Sequence, residues 1–158
     1  MNIQYLKKLE TNPSLEINNS GYFSSIKGIT EAEIKSLEQF YNNGNPFPKV
    51  LKELLILAGT NCFVCDYGIN KTQQELQEWV REDLLENERT ISRPFYAFDV
   101  YGGSQFLFIY LDEGDNPSIY EAHPYSNNDS WISRLNNLTI KNLVDNGIER
   151  IKRGENPF

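Results

Sequence analysis

Histidine, methionine and cysteine are scarce in this sequence of 158 residues. It contains one histidine, one methionine and two cysteines. Any histidine-dependent mechanism would have to use His123, which stands before Pro124 at the end of a predicted strand. The Gly-x-Ser-x-Gly elbow and the glycine-rich nucleotide loops are also absent. We therefore interpret His123 as a surface or hydrogen-bonded structural residue, and we predict no catalytic residue and no cofactor.

Long apolar runs are absent as well. No segment approaches the roughly 20 apolar residues that span a bilayer, and residues 1–10 include no apolar stretch of signal-peptide length. We expect no membrane partner and a cytoplasmic location. In that reducing compartment the two cysteines are expected to remain thiols.

Basic residues are in deficit, since 15 Lys and Arg stand against 22 Asp and Glu, for a net charge of −7. Nucleic acids select for basic patches, so we predict no nucleic-acid partner. The balance favours a basic protein partner, although a mildly acidic cytosolic protein without one is equally consistent with it. A chain of this length is expected to form one domain, residues 1–158, that buries about 68–70% of its unfolded surface.

Aromatic residues are plentiful and are concentrated in the middle of the chain. Short aromatic runs separated by Gly102-Gly103 and by an acidic turn predict three consecutive strands over 95–100, 106–111 and 117–123. The run Phe106-Leu107-Phe108-Ile109 is apolar at every position, which predicts a central strand covered on both faces. Gly102-Gly103 is interpreted as a turn.

Helical periodicity and capping signals surround these strands. Thr30 with Glu33 and Thr72 with Glu75 match the capping box, and Pro48 suits the first turn of a helix that ends at Gly59. The order predicts an α+β fold, with a mainly antiparallel mixed sheet and helices packed against it. The other predicted elements are a short N-terminal helix through Ile3, Leu6 and Leu9, a polar loop over 14–28, strands over Asn61–Asp66 and Trp131–Leu135, and a C-terminal helix capped by Thr139.

The predicted helix after Thr72 is the most charged segment of the chain. Charge runs are usually solvated faces, and the alternative is a docking face for a cationic partner, which would mainly raise the association rate. Affinity would then need aromatic anchors, for which Tyr67, Tyr101 and Tyr125 stand in predicted loops. The candidate binding residues on the helix are Glu75, Glu78, Glu82, Asp83 and Glu86.

Two further groups of residues are candidates for metal binding. Asp112, Glu113 and Asp115 crowd one turn without EF-hand spacing, so they suit turn geometry or contribute to an acidic binding surface. Cys62 and Cys65 have C-x-x-C spacing, but no second pair completes a zinc site, and in a strand they would point to opposite faces. We predict no metal site and interpret both cysteines as small buried hydrophobic residues.

Several short segments resemble the SUKH superfamily. The central residues Phe98–Gly103, followed by an apolar strand and an Asp-rich turn, are similar to the middle of that family. The resemblance covers about residues 29–145. The N-terminal part of the resemblance comprises Ile29–Ile34, Leu37-Glu38, Phe47-Pro48-Lys49, Glu53-Leu54-Leu55 and Ala58-Gly59.

The resemblance implies an α+β fold without defined catalytic residues. Most bacterial members resemble immunity proteins that neutralise polymorphic toxins, often nucleases, and other members resemble fungal cell-wall-synthesis regulators. This sequence departs from the common pattern in having Ala58–Asn61 where many members have a Gly-Gly pair, and in the acidic helix after the first predicted strand.

We therefore expect a non-enzymatic protein-binding domain, an immunity protein that occludes a cationic toxin domain, as a monomer or a homodimer. One alternative is a regulatory or scaffold module that binds an endogenous protein. The other is a small-ligand-binding or enzymatic domain that uses His123, Cys62 or the carboxylates at 112–115.

Overall fold

The computed structural model describes residues 1–158 and contains five helices and six strands. This composition confirms the predicted α+β fold of a single small domain. No helix combines the length and apolar character needed to cross a membrane. In chain order the elements are α1 (Lys7–Thr11), β1 (Ser14–Ile17), β2 (Tyr22–Ser25), α2 (Glu31–Tyr41), α3 (Lys49–Ala58), α4 (Gln73–Glu86), β3 (Phe95–Asp99), β4 (Phe106–Tyr110), β5 (Ser118–Ala122), β6 (Ile132–Thr139) and α5 (Ile140–Lys152).

The main sheet has four antiparallel strands in the order β3-β4-β5-β6. The three consecutive strands predicted from the aromatic runs are confirmed, and β4 is an inner strand. β6 is longer than predicted, because it continues past Leu135 to Thr139, the N-cap of α5.

The sheet is covered on both faces because successive side chains of a strand point to opposite sides. One face meets α4, where Leu76 and Val80 pack against Phe106 and Phe108. The other face meets α1, α2, α3 and α5, and Ile109 belongs to that larger cluster. The prediction that the 106–109 run is covered on both faces is therefore confirmed. We call the apolar residues packed between the sheet and α4 the α4 cluster, and those on the opposite face of the sheet the main cluster.

The N-terminal helix is shorter than predicted, since α1 begins at Lys7 and leaves Ile3 and Leu6 outside it. Two other local predictions are wrong. The polar segment 14–28 contains the antiparallel hairpin β1–β2, turned by Asn18 and Asn19 in the left-handed region with φ of 55° and 50°. The segment Asn61–Asp66 is not a strand, since only Asn61 pairs, in an isolated bridge with Lys27. Its apolar side chains are buried from an irregular backbone, so apolarity alone did not identify the local conformation.

The helix starts follow the capping signals with small differences. Thr30 and Glu33 form the complete capping box at α2. At α4, Thr72 accepts a hydrogen bond from the Glu75 backbone N–H, but the Glu75 carboxylate accepts from the N–H of Lys71. Pro48 is the N-cap of α3 and not its first residue.

The outer edge of β3 is closed by side chains of α4. The buried Gln77 amide donates to the carbonyl of Ala97 at 2.6 Å and accepts from its N–H at 3.1 Å, as a neighbouring strand would. Arg81 adds a hydrogen bond to the carbonyl of Phe95. Unpaired edge groups invite pairing with other chains, and here helix side chains occupy them.

The N-terminal segment is held by a buried carboxylate on α3. Glu53 is 0% exposed and accepts hydrogen bonds from the N–H groups of Gln4, Tyr5 and Leu6 at 2.7 to 2.9 Å. A buried charge is tolerated only where hydrogen bonds replace the lost water, and three backbone donors do so here. Glu53 therefore fixes the entry into α1.

Candidate functional site

The exposed side of α4 presents a stripe of carboxylates. Glu75, Glu78, Glu82 and Glu86 are all exposed, and the step of about 100° per residue places them on one side of the helix. We call these four residues the acidic face. Leu85 lies on the same side and is 78% exposed.

The acidic face has no internal charge compensation. None of its four carboxylates takes part in an ion pair of the structure. The Glu75 and Glu78 carboxylates only accept hydrogen bonds, from the Lys71 N–H and the Gln74 amide. Glu78 and Glu82, like Glu82 and Glu86, are like charges four residues apart, a spacing that destabilises a helix.

One flank of the acidic face is aromatic. The Arg81 guanidinium lies over the rings of Tyr41 and Phe95, 4.4 and 4.3 Å from their centroids, and burial lowers the pKa of Arg81. Tyr41 neighbours Phe40, with 6.2 Å between ring centroids. Phe40 is 64% exposed at the end of α2, so a large apolar side chain stands beside the acidic face.

The opposite flank contains a pocket of about 280 Å³ next to Trp79. Ile69 lies at this pocket and is 94% exposed, so it contributes apolar surface at the rim. Gly102 and Gly103 have φ of 77° and 69°, and no atom lies within 4 Å of where a Cβ would stand on either. The pocket lining comprises Asp66, Gly68, Ile69, Asn70, Trp79, Val100, Gly102 and Gly103.

Asp83 does not belong to the acidic face, contrary to prediction. It is 7% exposed, and its carboxylate accepts a hydrogen bond from the hydroxyl of Tyr125. Asp83 follows Trp79 by one helical turn, which brings it round to the buried flank. Tyr125 itself is 57% exposed, so this predicted anchor lies on the surface beside α4.

The other two predicted anchors lie elsewhere. Tyr67 is half-buried, packs against both clusters and donates its hydroxyl hydrogen to the carbonyl of Ala58 at 3.0 Å, so it is a structural residue and not a loop anchor. Burial raises the pKa of Tyr67 well above its usual range. Tyr101 is 46% exposed and stacks on Phe158, with ring centroids 5.1 Å apart.

The carboxylates of the 112–115 turn have partners of their own. Arg93 pairs with Asp112 and Glu113 and lies over the Tyr110 ring at 3.8 Å. The Arg93 hydrogen bond lowers the pKa of Asp112. The carbonyl of Asp115 accepts from the N–H of Val50, which supports the start of α3. Two carboxylates of this turn are therefore paired with a cation and the turn is tied to the fold, in contrast to the acidic face.

The remaining reactive side chains are His123 and the two cysteines. His123 Nε2 lies 3.1 Å from a Glu121 carboxylate oxygen, and both side chains are partly exposed. Cys62 is half-buried and Cys65 is buried, and both are free thiols. No group of three or more His, Cys, Asp or Glu side chains is arranged to hold a metal ion.

Sequence reasoning located four of the five acidic-helix residues and missed the apolar ones around them. Phe40 and Leu85 both occupy positions that periodicity assigns to buried stripes, so only the packed structure shows them exposed. Ile69 had a usable signal, since an isoleucine between Gly68 and Asn70 has no strand or helix in which to be buried.

Comparisons with protein-family models, with curated proteins and with solved structures found no match for this chain. The acidic face and its two flanks are therefore the features that bear on function.

Proposed function

We propose that this chain is a protein-binding domain whose acidic face docks a basic surface of a partner, and that the partner is a toxin domain neutralised by occlusion. The observation that carries the proposal is the stripe of four exposed, unpaired glutamates with apolar side chains on both flanks. The toxin identity of the partner rests on the SUKH-like segments of the sequence alone.

The electrostatics of α4 favour an external cation. Its carboxylates repel one another, and no basic residue stands in its last turn. A basic partner relieves that repulsion on docking, and its approach is accelerated by a protein of net charge −7. The carboxylates of Asp112 and Glu113 pair with Arg93, whereas the carboxylates of the acidic face have no ion-pair partner.

The apolar flanks of the acidic face supply contacts for binding affinity, which charge alone does not provide. Affinity in protein interfaces comes mainly from a few apolar or aromatic side chains in well-packed contacts, while charged rims set rate and specificity. Phe40 on one side, and Ile69 with the Trp79 pocket on the other, offer such contacts. A partner that covers both flanks also covers the glutamates between them.

The test compares two variants with the same loss of charge. The face variant combines Glu78→Gln, Glu82→Gln and Glu86→Gln. The control combines Glu10→Gln, Glu31→Gln and Asp129→Asn, which are exposed and unpaired elsewhere. The partner is first identified by affinity capture with the wild-type chain at low and at high salt, and binding kinetics are then measured.

We expect a partner with a basic toxin domain, an association rate that falls about tenfold or more in the face variant at low salt, and little change in the control. The wild-type rate should fall as salt is raised, and the face-variant rate should not. Equal rates for the two variants would rule out α4 as the docking surface. A basic partner without toxic activity would retain the interface and replace immunity with a regulatory role.

A further inference from the structure

Cys62 and Cys65 lie in the irregular backbone of residues 61–66, which is not a strand. In a strand, residues three apart face opposite ways, which argued against a joint role. Here both side chains pack against the main cluster, Cys65 as a core residue and Cys62 at its margin. The structure therefore removes the geometric objection to a reactive C-x-x-C pair.

The segment from Cys62 to Cys65, which we call the cysteine turn, is held in place by Asp99. A bulge in β3 at Phe98 sets Asp99 opposite Leu107, and so turns its side chain toward the main cluster. Its carboxylate then accepts hydrogen bonds from the N–H groups of Asp66 and Tyr101, at 3.1 and 3.0 Å. The residue that follows Cys65 is thus pinned to the end of β3.

The two thiols differ in exposure and in acidity. Cys62 is half-buried, whereas Cys65 is 2% exposed. A hydrogen bond from the Cys65 thiol lowers the pKa of Cys62, and the backbone N–H groups of Val64 and Cys65 act in the same direction. The same thiol pairing, together with burial, raises the pKa of Cys65 well above its usual range. The turn thus supplies the N–H donors that a helix N-terminus gives other redox pairs.

We propose that Cys62 and Cys65 form a thiol–disulfide exchange site, with Cys62 as the attacking and Cys65 as the resolving residue, and with low-molecular-weight disulfides as substrates. Glutathione disulfide serves as the example. The Cys62 thiolate attacks one of its sulfurs, the S–S bond breaks, and one glutathione thiolate leaves. The Cys65 sulfur then attacks Cys62 and releases the second. The two thiol protons end on the two glutathione molecules, and the protein gains one disulfide while the oxidant gains two electrons.

The experiment treats the folded, reduced chain with glutathione disulfide and follows intact mass and free thiols. The wild type should lose two hydrogens and both thiols without retaining glutathione. The Cys65→Ser variant should stop one step earlier, with one glutathione bound to Cys62. The Cys62→Ser variant should react at least tenfold more slowly, because Cys65 is buried. Cys65→Ala repeats the trapping test without placing a hydroxyl in the core, and circular dichroism checks the fold of each variant.

The urea-denatured wild type is the control for intrinsic reactivity. If the denatured chain oxidises and the folded chain stays reduced, the turn shields the thiols and the proposal is wrong. Glutathione trapped on Cys65 in place of Cys62 would overturn the assigned order. These outcomes do not depend on the acidic face, since the cysteines lie outside it.

Discussion

At the scale of single residues, Asp99 links the sheet to the cysteine turn. Burial of its charged carboxylate costs free energy. It is 5% exposed, and burial raises its pKa from an ordinary value of 3.8 to about 6. Two backbone N–H groups act in the opposite direction without cancelling this effect. Between about pH 4 and pH 6 the folded state therefore favours the neutral form of Asp99, while the unfolded chain favours the charged form.

This shift gives a pH-dependent contribution with a defined sign. The folded state binds this proton more tightly than the unfolded state, so the contribution of Asp99 to stability is highest below about pH 4 and decreases up to about pH 6. The decrease is about 3 kcal/mol, since one pKa unit corresponds to about 1.4 kcal/mol. Urea unfolding of the wild type and of Asp99→Asn across this range should show that the difference between their free energies of unfolding changes by this amount. A constant difference would contradict the buried-carboxylate account.

Residue-level predictions from sequence succeeded where hydrogen-bonding partners are close along the chain. Thr30 and Glu33 cap α2 as predicted, because both partners lie within one turn. Asp83 and Glu53 could not be placed in the same way. Their partners, Tyr125 and Gln4 to Leu6, lie more than 40 positions away, so only the folded chain brings them together.

At the scale of elements, the two sides of α4 have opposite effects on the stability of the helix. Its inner side packs on the sheet through Leu76 and Val80 and closes the β3 edge through Gln77. Its outer side holds the acidic face. Glu86 adds a negative charge near the C-terminus, where the helix dipole is also unfavourable. The inner contacts therefore stabilise a helix that its outer charges weaken.

Neutralising the acidic face should accordingly stabilise the protein. The variant with Glu78→Gln, Glu82→Gln and Glu86→Gln removes two like-charge pairs of about 0.2–0.5 kcal/mol each, so the free energy of unfolding should rise by about 0.5–1 kcal/mol. Urea titrations at low and high salt measure this change. The gain should shrink at high salt, because exposed charges are screened. A loss of stability would mean that the glutamates make favourable contacts.

Helices and strands were predictable from sequence where a regular hydrophobic pattern was bounded by clear capping or turn residues, as for α2 and β3 to β5. The hairpin β1–β2 was missed because its strands have four residues each and mostly polar side chains. The 61–66 segment was mistaken for a strand because its apolar side chains are buried by tertiary packing in the main cluster. The N-cap of α4 was identified from the sequence. The packing of α4 side chains along the edge of β3 was not predicted, because no local sequence pattern indicates it.

At the scale of the whole molecule, one sheet joins two apolar clusters. β3 and β4 send alternate side chains to each, so neither cluster can lose its packing without exposing the back of the other. Cooperative unfolding of the entire chain is expected from this shared layer.

The Leu54→Ala variant tests that coupling. Leu54 is 1% exposed in the main cluster, and its truncation should lower the free energy of unfolding by about 2–5 kcal/mol. Trp79 and Trp131 pack against the α4 cluster, on the other side of the sheet. Their fluorescence midpoint in urea should shift together with the far-ultraviolet circular dichroism midpoint. Separate midpoints would show that the two faces unfold independently.

The closed edge of β3 also limits how copies of this chain can join through their sheets. Strand-to-strand growth needs two open edges, one to accept the next molecule and one to continue the series. Gln77 and Arg81 occupy the β3 edge, which leaves β6 as the one outer strand of the main sheet without such a cover. Joining two β6 edges uses up both, so association by this route ends at a pair and cannot propagate into a fibril.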